Sequence, residues 1–148
     1  MCGNRTTADH AAGQVATMGR GNACVLLVDD GEINRIVGRG LLESLGYEVV
    51  TASSGWDALE VVRDGRYAAI LMDCLMPDMD GYEATRRIRA LDGPERHIPI
   101  VALTAAAMAG DRERCLAAGM DDYVSKPFDL DLLDAALARC RAGVAARP

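Results

Sequence analysis

The sequence predicts an α/β fold, a (βα)5 doubly wound arrangement in which a parallel five-stranded sheet carries helices on both faces. Three observations lead to this prediction. Short apolar runs alternate along the chain with longer segments of helical periodicity. The first and third apolar runs are almost wholly apolar, as expected of parallel strands that are buried on both faces. Glycines follow several of the helical segments, where a helix would end.

Each apolar run is predicted to be a strand and each intervening segment a helix. The strands are ACVLLV (23–28), YEVV (47–50), YAAILM (67–72), IPIVAL (98–103) and MDDYVS (120–125). The helices are 32–45, 55–64, 81–90, about 107–118 and 129–141. Stops at the ends of helical segments are expected at Gly46, Gly65 and Gly119. Trp56 opens the second helix and is expected to be a packing residue.

Gly38 and Gly40 lie inside the first predicted helix, where each costs roughly 1 kcal/mol relative to Ala. Sequence drift in a chain rich in Gly and Ala explains them simply. The alternative is the close approach of a partner helix.

Length and composition limit the classes of function. The 148 residues fit one domain, which we assign to 22–141, with a flexible N-terminal tail (1–21) and a frayed C-terminal tail (142–148). A net charge of −6 argues against nonspecific binding to nucleic acid or to anionic membranes, and no basic recognition helix is present. The sequence shows neither a secretory signal nor an apolar run of about 20 residues, so we expect a cytoplasmic protein. The five cysteines are scattered without a CxxC pair, which favours a reducing compartment over a disulfide framework or a zinc site.

Polar side chains follow four of the five predicted strands. Asp29 and Asp30 follow the first, Asp73 the third, Thr104 the fourth and Lys126 the fifth. In open α/β sheets, ligands bind beyond the carboxyl ends of the strands, so these side chains are expected to meet at one edge.

This set of side chains suits a phosphoryl group and a divalent cation. Clustered carboxylates repel one another unless a cation intervenes, and Mg²⁺ prefers such oxygen ligands. An ammonium and a hydroxyl would bind phosphoryl oxygens while a carboxylate attacks phosphorus. Lys126 is the one lysine among 16 basic residues, which sets it apart from generic surface charge.

Each residue also has a simpler explanation when taken alone. Asp29 or Asp30 could cap the first helix, Asp73 could open a turn, Thr104 could cap the fourth helix and Lys126 could be solvated. Their coincidence at four strand ends favours a site.

Four segments resemble the receiver domain of two-component response regulators. They are VDDGEINR (28–35), LMDCLMPDMDGYEATRRIR (71–89), IPIVALTA (98–105) and AAGMDDYVSKPF (117–128). The resemblance covers roughly residues 22–141 and is closest to receivers at the C-terminus of hybrid sensor histidine kinases. It implies a flavodoxin-like sheet with strand order 2-1-3-4-5 and an aspartyl-phosphate switch.

The resemblance also implies the metal ligands. Asp73 would be the phosphoacceptor and would bind Mg²⁺ directly together with Asp30. Asp29 would act through water, and the backbone carbonyl of Leu75 would complete the protein ligands.

The partners and the switch residues follow from the same resemblance. A sensor histidine kinase or a histidine phosphotransfer protein would donate the phosphoryl group. Lys126 would pair with Asp73 and then with the phosphoryl group, Thr104 would move to bond that group, and Tyr123 would rotate in response. The fourth helix, fifth strand and fifth helix would then present a changed face to a downstream protein target.

Three positions depart from the family pattern. Gly31 replaces the usual Asn, so the turn after the acidic pair is expected to be looser. Leu75 and Ala106 stand where polar side chains are common, and neither can orient an attacking water. We therefore predict slow self-dephosphorylation.

Cys74 adjoins the acceptor, but strand alternation points it away from Asp73, which favours packing over redox control.

The resemblance implies a phosphoacceptor that is not a free-standing enzyme. The residues also suggest three alternative functions. Asp78-Met-Asp80-Gly81 resembles the DxDG box of haloacid-dehalogenase-type phosphatases, although that box should follow a strand directly. A flavodoxin-like FMN carrier would need phosphate-binding donors where the first acidic pair stands. A receiver-like interaction module that is never phosphorylated would not need every acceptor-site residue.

Overall fold

The computed structural model describes residues 23–105, 110–126 and 129–141. Five parallel strands form one sheet in the order β2-β1-β3-β4-β5, which confirms the predicted architecture. The strands are β1 (Cys24–Val28), β2 (Glu48–Ala52), β3 (Ala69–Asp73), β4 (Ile100–Thr104) and β5 (Asp122–Ser125). Each begins one or two residues later than predicted, because apolar residues such as Tyr67 and Ile98 pack against the core before the strand starts. The predicted tails, 1–21 and 142–148, lie outside the described residues.

Five α-helices connect and follow the strands. They are α1 (Glu32–Ser44), α2 (Gly55–Val61), α3 (Gly81–Arg89), α4 (Asp111–Ala118) and α5 (Leu130–Arg141). Short 3-10 turns at Val62–Asp64 and Pro94–His97 extend α2 and precede β4. None of the helices in the described part of the chain combines the length and apolar composition that a membrane crossing requires.

Each face of the sheet has its own apolar core, because strand side chains alternate between the two faces. On one face, residues such as Val25, Leu27 and Leu71 pack with Leu42 of α1 and Leu133 of α5. The opposite face is covered by α2, α3 and α4, and its buried strand residues include Leu26, Val28, Ile70, Met72 and Ala102. The sheet therefore exposes only its edges, and the carboxyl edge carries the polar residues.

The two glycines of α1 differ in what surrounds them. A Cβ atom at Gly38 would lie 2.8 Å from Cδ2 of Leu27, so this glycine lets α1 approach β1 closely. The close approach that Gly38 permits is therefore to β1 within the chain. At Gly40 a Cβ would meet nothing within 4 Å.

Two of the three predicted glycine stops adopt the left-handed conformation that favours glycine. Gly46 has a φ of 97° and Gly119 a φ of 105°. Gly65 differs, since it follows the 3-10 turn after α2 and has an extended φ of −152°.

Arg89, at the end of α3, connects the segments that lead into β4 and β5. Its guanidinium donates to the carbonyls of Gly119 and Ile98 at 2.9 and 2.7 Å, and to Asp121 Oδ2 at 2.9 Å. The same Asp121 oxygen accepts a hydrogen bond from the Ile100 backbone N–H at 3.0 Å. This network fixes the starts of the two strands that carry Thr104 and Lys126.

Two expectations drawn from single residues are wrong. Trp56 is 55% exposed and lies 5.0 Å beneath the Arg87 guanidinium, because Gly55 and Ala58 occupy the buried positions of α2. Cys24 is disulfide-bonded, which departs from the expectation of reduced cysteines.

Candidate functional site

The carboxyl ends of four strands bring the predicted site residues to one edge of the sheet. Asp29 and Asp30 directly follow β1, and Lys126 directly follows β5. Asp73 and Thr104 are the last residues of β3 and β4, one position earlier than expected relative to the strand ends. The hydrogen-bond ladder continues into the site, since the N–H of Lys126 donates to the Thr104 carbonyl at 2.7 Å.

Three carboxylates form a tight cluster at this edge. Asp29, Asp30 and Asp73 each offer an oxygen, and these three oxygens lie within 4.8 Å of one another. Asp29 and Asp73 are buried, whereas Asp30 is exposed. Burial of two like charges so close together is unfavourable unless a cation compensates them, so the cluster is suited to a divalent cation.

Lys126 bridges the two buried carboxylates. Its Nζ lies 3.2 Å from Asp29 Oδ2 and 3.2 Å from Asp73 Oδ1. One ammonium against three carboxylates leaves the cluster negatively charged. A single positive charge therefore orients the carboxylates without neutralising them.

The surroundings shift the pKa of both central groups upward. Burial raises the pKa of Asp73 and the charge of Asp29 raises it further, while Lys126 opposes the shift. Burial alone would lower the pKa of Lys126, but the charges of Asp73 and Asp29 outweigh burial and raise it. Lys126 therefore remains a cation in this position.

The turn between β1 and α1 is held by groups that the sequence did not single out. Asp29 Oδ1 accepts the Gly31 backbone N–H at 2.9 Å and the Asn34 amide at 3.4 Å. Arg35 Nη1 donates to the Asp29 carbonyl at 2.9 Å. These three hydrogen bonds hold the turn although a glycine stands at position 31. Gly31 itself is the N-cap residue of α1, without a side-chain capping bond, so the acidic pair does not cap this helix.

Gly81 brings the start of α3 against β3, the strand that ends in Asp73. A Cβ atom at this position would lie 2.2 Å from the backbone oxygen of Asp73. The Gly81 N–H donates to the Cys74 carbonyl at 3.0 Å. Sequence reasoning missed this residue, although its place in the acceptor motif could have pointed to a close backbone approach.

The loop between β3 and α3 combines site and structural roles. The Leu75 backbone N–H donates to Asp73 Oδ1 at 3.3 Å, and its side chain is 67% exposed. Asp78 has a left-handed φ of 69°, and Asp80 caps α3 by accepting the Glu83 N–H at 2.9 Å. The DxDG-like box thus lies in a turn and a helix cap and does not directly follow a strand, which argues against the phosphatase alternative.

Thr104 and Tyr123 lie on the side of the site that faces β5. Thr104 is buried, and it does not cap α4, whose N-cap residue is Gly110. Tyr123 is half-buried and packs against the core beneath α2, α3 and α4. Ala106 lies outside the described residues.

Cys74 points away from Asp73, as strand alternation predicts. It is buried in the core beneath α2, α3 and α4, where Cys115 also lies. A hydrogen bond with the Cys115 thiol, together with burial, raises the pKa of Cys74 far above its usual value.

Comparison with known proteins identifies a protein family whose model matches most of the chain. The model of the response regulator receiver domain family matches residues 25–138. Sensor histidine kinase RcsC of Salmonella typhimurium is 46% identical over 114 residues, covering 77% of this chain and 12% of that protein. The polar-differentiation response regulator DivK of Brucella anthropi is 41% identical over 106 residues, covering 72% of this chain and 85% of that protein.

A solved structure shows the same fold. The receiver domain of sensor histidine kinase PA1611 from Pseudomonas aeruginosa has a magnesium ion coordinated in its active site cleft. It matches with a TM-score of 0.75 and 47% identity, covering 82% of this chain and 98% of that chain. The chain spans 11–12% of the length of the RcsC sensor kinases that it matches.

Proposed function

The chain belongs to the response regulator receiver domain family of two-component signalling, and we propose that it is a phosphorelay switch with Asp73 as phosphoacceptor. A phosphohistidine of a sensor histidine kinase or of a histidine phosphotransfer protein supplies the phosphoryl group. An Asp73 carboxylate oxygen attacks phosphorus, and the bond from phosphorus to the histidine nitrogen breaks as the new bond to oxygen forms. The chain assists this transfer on itself and is not a free-standing enzyme.

One observation carries the proposal, namely the bridging position of Lys126 between Asp29 and Asp73. An ammonium 3.2 Å from a buried carboxylate opposes the rise in the pKa of that group and so favours its ionised form, which acts as the nucleophile. After transfer, the same ammonium lies within reach of the phosphoryl oxygens and stabilises their charge. A structural ion pair would not need the second buried carboxylate beside it.

The carboxylate cluster fits Mg²⁺ as the cofactor. We assign Asp30 and Asp73 as direct ligands, Asp29 as a ligand through water, and the Leu75 backbone carbonyl as the last protein ligand. Three carboxylate oxygens within 4.8 Å match an ion that binds one or two carboxylates directly and keeps several waters. When bound, Mg²⁺ would neutralise charge on the transferring phosphoryl group. The exposed Asp30 leaves this side of the site open to water.

The apolar face of α1 supports docking of a phosphodonor helix. Ile33, Ile36 and Val37 are 70, 60 and 52% exposed, and with Gly40 they follow the spacing of one helix face. This face begins three residues after Asp30, the exposed carboxylate of the cluster. A donor that approaches Asp73 from the side of Asp30 would bury these side chains, and the absence of a side chain at Gly40 leaves room for it.

Docking can be tested separately from the chemistry. Ile36→Asp should leave phosphorylation by acetyl phosphate unchanged and slow transfer from a phosphorylated histidine phosphotransfer protein by tenfold or more. Leu132→Asp on α5 is a matched control, because Leu132 is also exposed. Equal slowing in both variants would contradict docking on α1.

The proposed output surface is the face made by α4, β5 and α5. We assign Thr104 as the hydroxyl that moves to the phosphoryl group and Tyr123 as the residue that rotates in response. Tyr123 also lines a surface groove of about 390 Å³ together with Arg112, Leu132 and Arg139. Rotation of Tyr123 would reshape this groove and so change the binding of a downstream protein.

We infer that residues 22–141 are the signalling unit and that it acts in the cytoplasm on protein partners. The net charge of −6 supports a role without direct contact to nucleic acid or to anionic membranes.

A titration with beryllofluoride, which mimics an aspartyl phosphate, tests the proposal. Binding measured by calorimetry should require both Mg²⁺ and Asp73, so it should be lost in Asp73→Asn. Asp78→Asn is the matched control, since Asp78 is an exposed carboxylate of the adjoining loop and not part of the cluster. Unchanged binding in Asp73→Asn would refute the assignment of the acceptor.

A further inference from the structure

The start of α2 leaves a notch that the side chain of Met79 fills. Gly55 is the first residue of α2 and is buried, and Met79 belongs to the loop between β3 and α3 and is 3% exposed. A Cβ atom at Gly55 would lie 2.7, 3.0 and 3.2 Å from Sδ, Cγ and Cβ of Met79. Because atoms of this kind in ordinary contact are about 3.5–4.0 Å apart, the approach depends on the glycine.

The stem of the Met79 side chain takes part in this contact, and not only its flexible end. At Gly38, by comparison, a Cβ atom would crowd a single atom, Cδ2 of Leu27 at 2.8 Å, while the next atom is 3.6 Å away. A side chain crowded at its tip can rotate away, whereas crowding at Met79 Cβ also displaces the backbone of residue 79. The contact at Gly55 therefore acts on the backbone of the loop.

The Met79 backbone closes a strained turn. Its N–H donates to the Pro77 carbonyl at 2.7 Å, and the residue between them, Asp78, has a φ of 69°. A three-residue turn with a positive φ is rare, and it persists only where surrounding contacts hold it. Burial of the Met79 side chain against Gly55 is such a contact.

The loop that contains Met79 is hydrogen-bonded at both ends beside Asp73. Two residues after Met79, the Gly81 N–H donates to the Cys74 carbonyl at 3.0 Å. At the start of the loop, the Leu75 N–H donates to Asp73 Oδ1 at 3.3 Å. A displacement of Met79 would therefore be transmitted to the groups that orient the Asp73 carboxylate.

We propose that Met79 is a positioning residue, whose packing against Gly55 fixes the loop between β3 and α3 and with it the carboxylate of Asp73. The Met79 side chain acts through the loop, by packing and not by charge. The effect on phosphorylation rests on the proposed function of Asp73, whereas the effect on the order of the loop does not.

Amide hydrogen exchange without a phosphodonor tests the hold on the loop. In Met79→Ala, the Gly81 amide should exchange at least about tenfold faster relative to the amides of β1, because the loop that its hydrogen bond closes is released. Met79→Leu conserves most of the volume and should stay within about twofold of the wild type. Gly38→Ala is the matched control and should leave this ratio unchanged. An unchanged ratio in Met79→Ala would overturn the proposal.

A double-mutant cycle tests whether Gly55 acts through Met79. Gly55→Ala should slow phosphorylation by acetyl phosphate about tenfold at saturating Mg²⁺, because Met79 must move by a fraction of an ångström and shifts the loop beside Asp73. In the Met79→Ala background, the same substitution should change the rate by less than about twofold, since the crowded Sδ and Cγ atoms are absent. Urea unfolding verifies that every variant is folded under the assay conditions.

Two outcomes of the cycle would overturn the positioning role. A tenfold slowing by Gly55→Ala in both backgrounds would show that Gly55 acts without Met79. An equal slowing in Gly38→Ala would show that lost stability, and not placement of the loop, lowers the rate. If the wild type itself gains no phosphoryl group, the assignment of Asp73 fails, while the exchange measurement still decides whether Met79 holds the loop.

Discussion

Replacement of Gly81 by alanine tests how tightly the acceptor strand and α3 are packed. The new Cβ would lie 2.2 Å from the Asp73 backbone oxygen, whereas carbon and oxygen atoms in contact are about 3.3 Å or more apart. The start of α3 would have to retreat from β3 by roughly 1 Å. Overpacking of a buried site costs about 1–3 kcal/mol of unfolding free energy. A misplacement of about 1 Å beside reacting groups lowers a rate by about 10²-fold.

Two other glycines provide matched controls for the same substitution. At Gly38 the nearest atom to a new Cβ is Cδ2 of Leu27 at 2.8 Å, the end of a flexible side chain. Gly40 is exposed with nothing within 4 Å, so alanine there should gain up to about 1 kcal/mol from helix propensity. Stability should therefore increase in the order Gly81→Ala, Gly38→Ala, Gly40→Ala.

Urea unfolding followed by circular dichroism measures the stability order, and the rate of phosphorylation by acetyl phosphate measures the effect on the site. Only Gly81→Ala should lose both stability and rate. If Gly81→Ala matched Gly40→Ala in stability and kept the wild-type rate, the inferred contact between α3 and the acceptor strand would be refuted.

Three further predictions concern charge, packing and the lifetime of the phosphorylated form. The Lys126→Met variant should bind Mg²⁺ more tightly in calorimetry, because one positive charge leaves the cluster. The same variant should be phosphorylated at Asp73 about 10²-fold more slowly, because the ammonium no longer stabilises the phosphoryl oxygens. Weaker Mg²⁺ binding would contradict this reasoning. Arg89→Ala should lose about 2 kcal/mol of unfolding free energy in urea, because two part-buried carbonyls and a part-buried carboxylate lose their donor. The exposed Arg86→Ala should change it by less than about 0.5 kcal/mol, and equal losses would contradict the role of Arg89. Leu75→Asn should shorten the phosphoprotein lifetime measured by intact mass, since an amide can orient an attacking water; an unchanged lifetime would count against this prediction.

The order of the elements and the edge that carries the site could be predicted from the sequence. Buried parallel strands leave nearly continuous apolar runs, and polar residues that follow them fall on one edge whatever the details of packing. The sequence alone therefore predicts that Asp29, Asp73 and Lys126 lie together. Strand order, by contrast, came from the family resemblance.

Contacts between distant segments could not be predicted in this way. Whether a glycine in a helix is needed depends on what lies opposite, and Gly38 and Gly40 look alike in sequence although only Gly38 faces Leu27. The exposure of Trp56 depends on which face of a short helix meets the core. Hydrogen bonds that hold the acidic turn, such as that from Arg35 to Asp29, are likewise visible only in three dimensions.

Phosphorylation of the intact chain by acetyl phosphate, followed by intact-mass spectrometry, tests the central claim most directly. The wild type should gain one phosphoryl group in the presence of Mg²⁺ and none after the metal is removed with a chelator. Asp73→Asn should gain none in either condition. Absence of the adduct in the wild type, or an equal adduct in Asp73→Asn, would contradict the assignment of Asp73 as the phosphoacceptor.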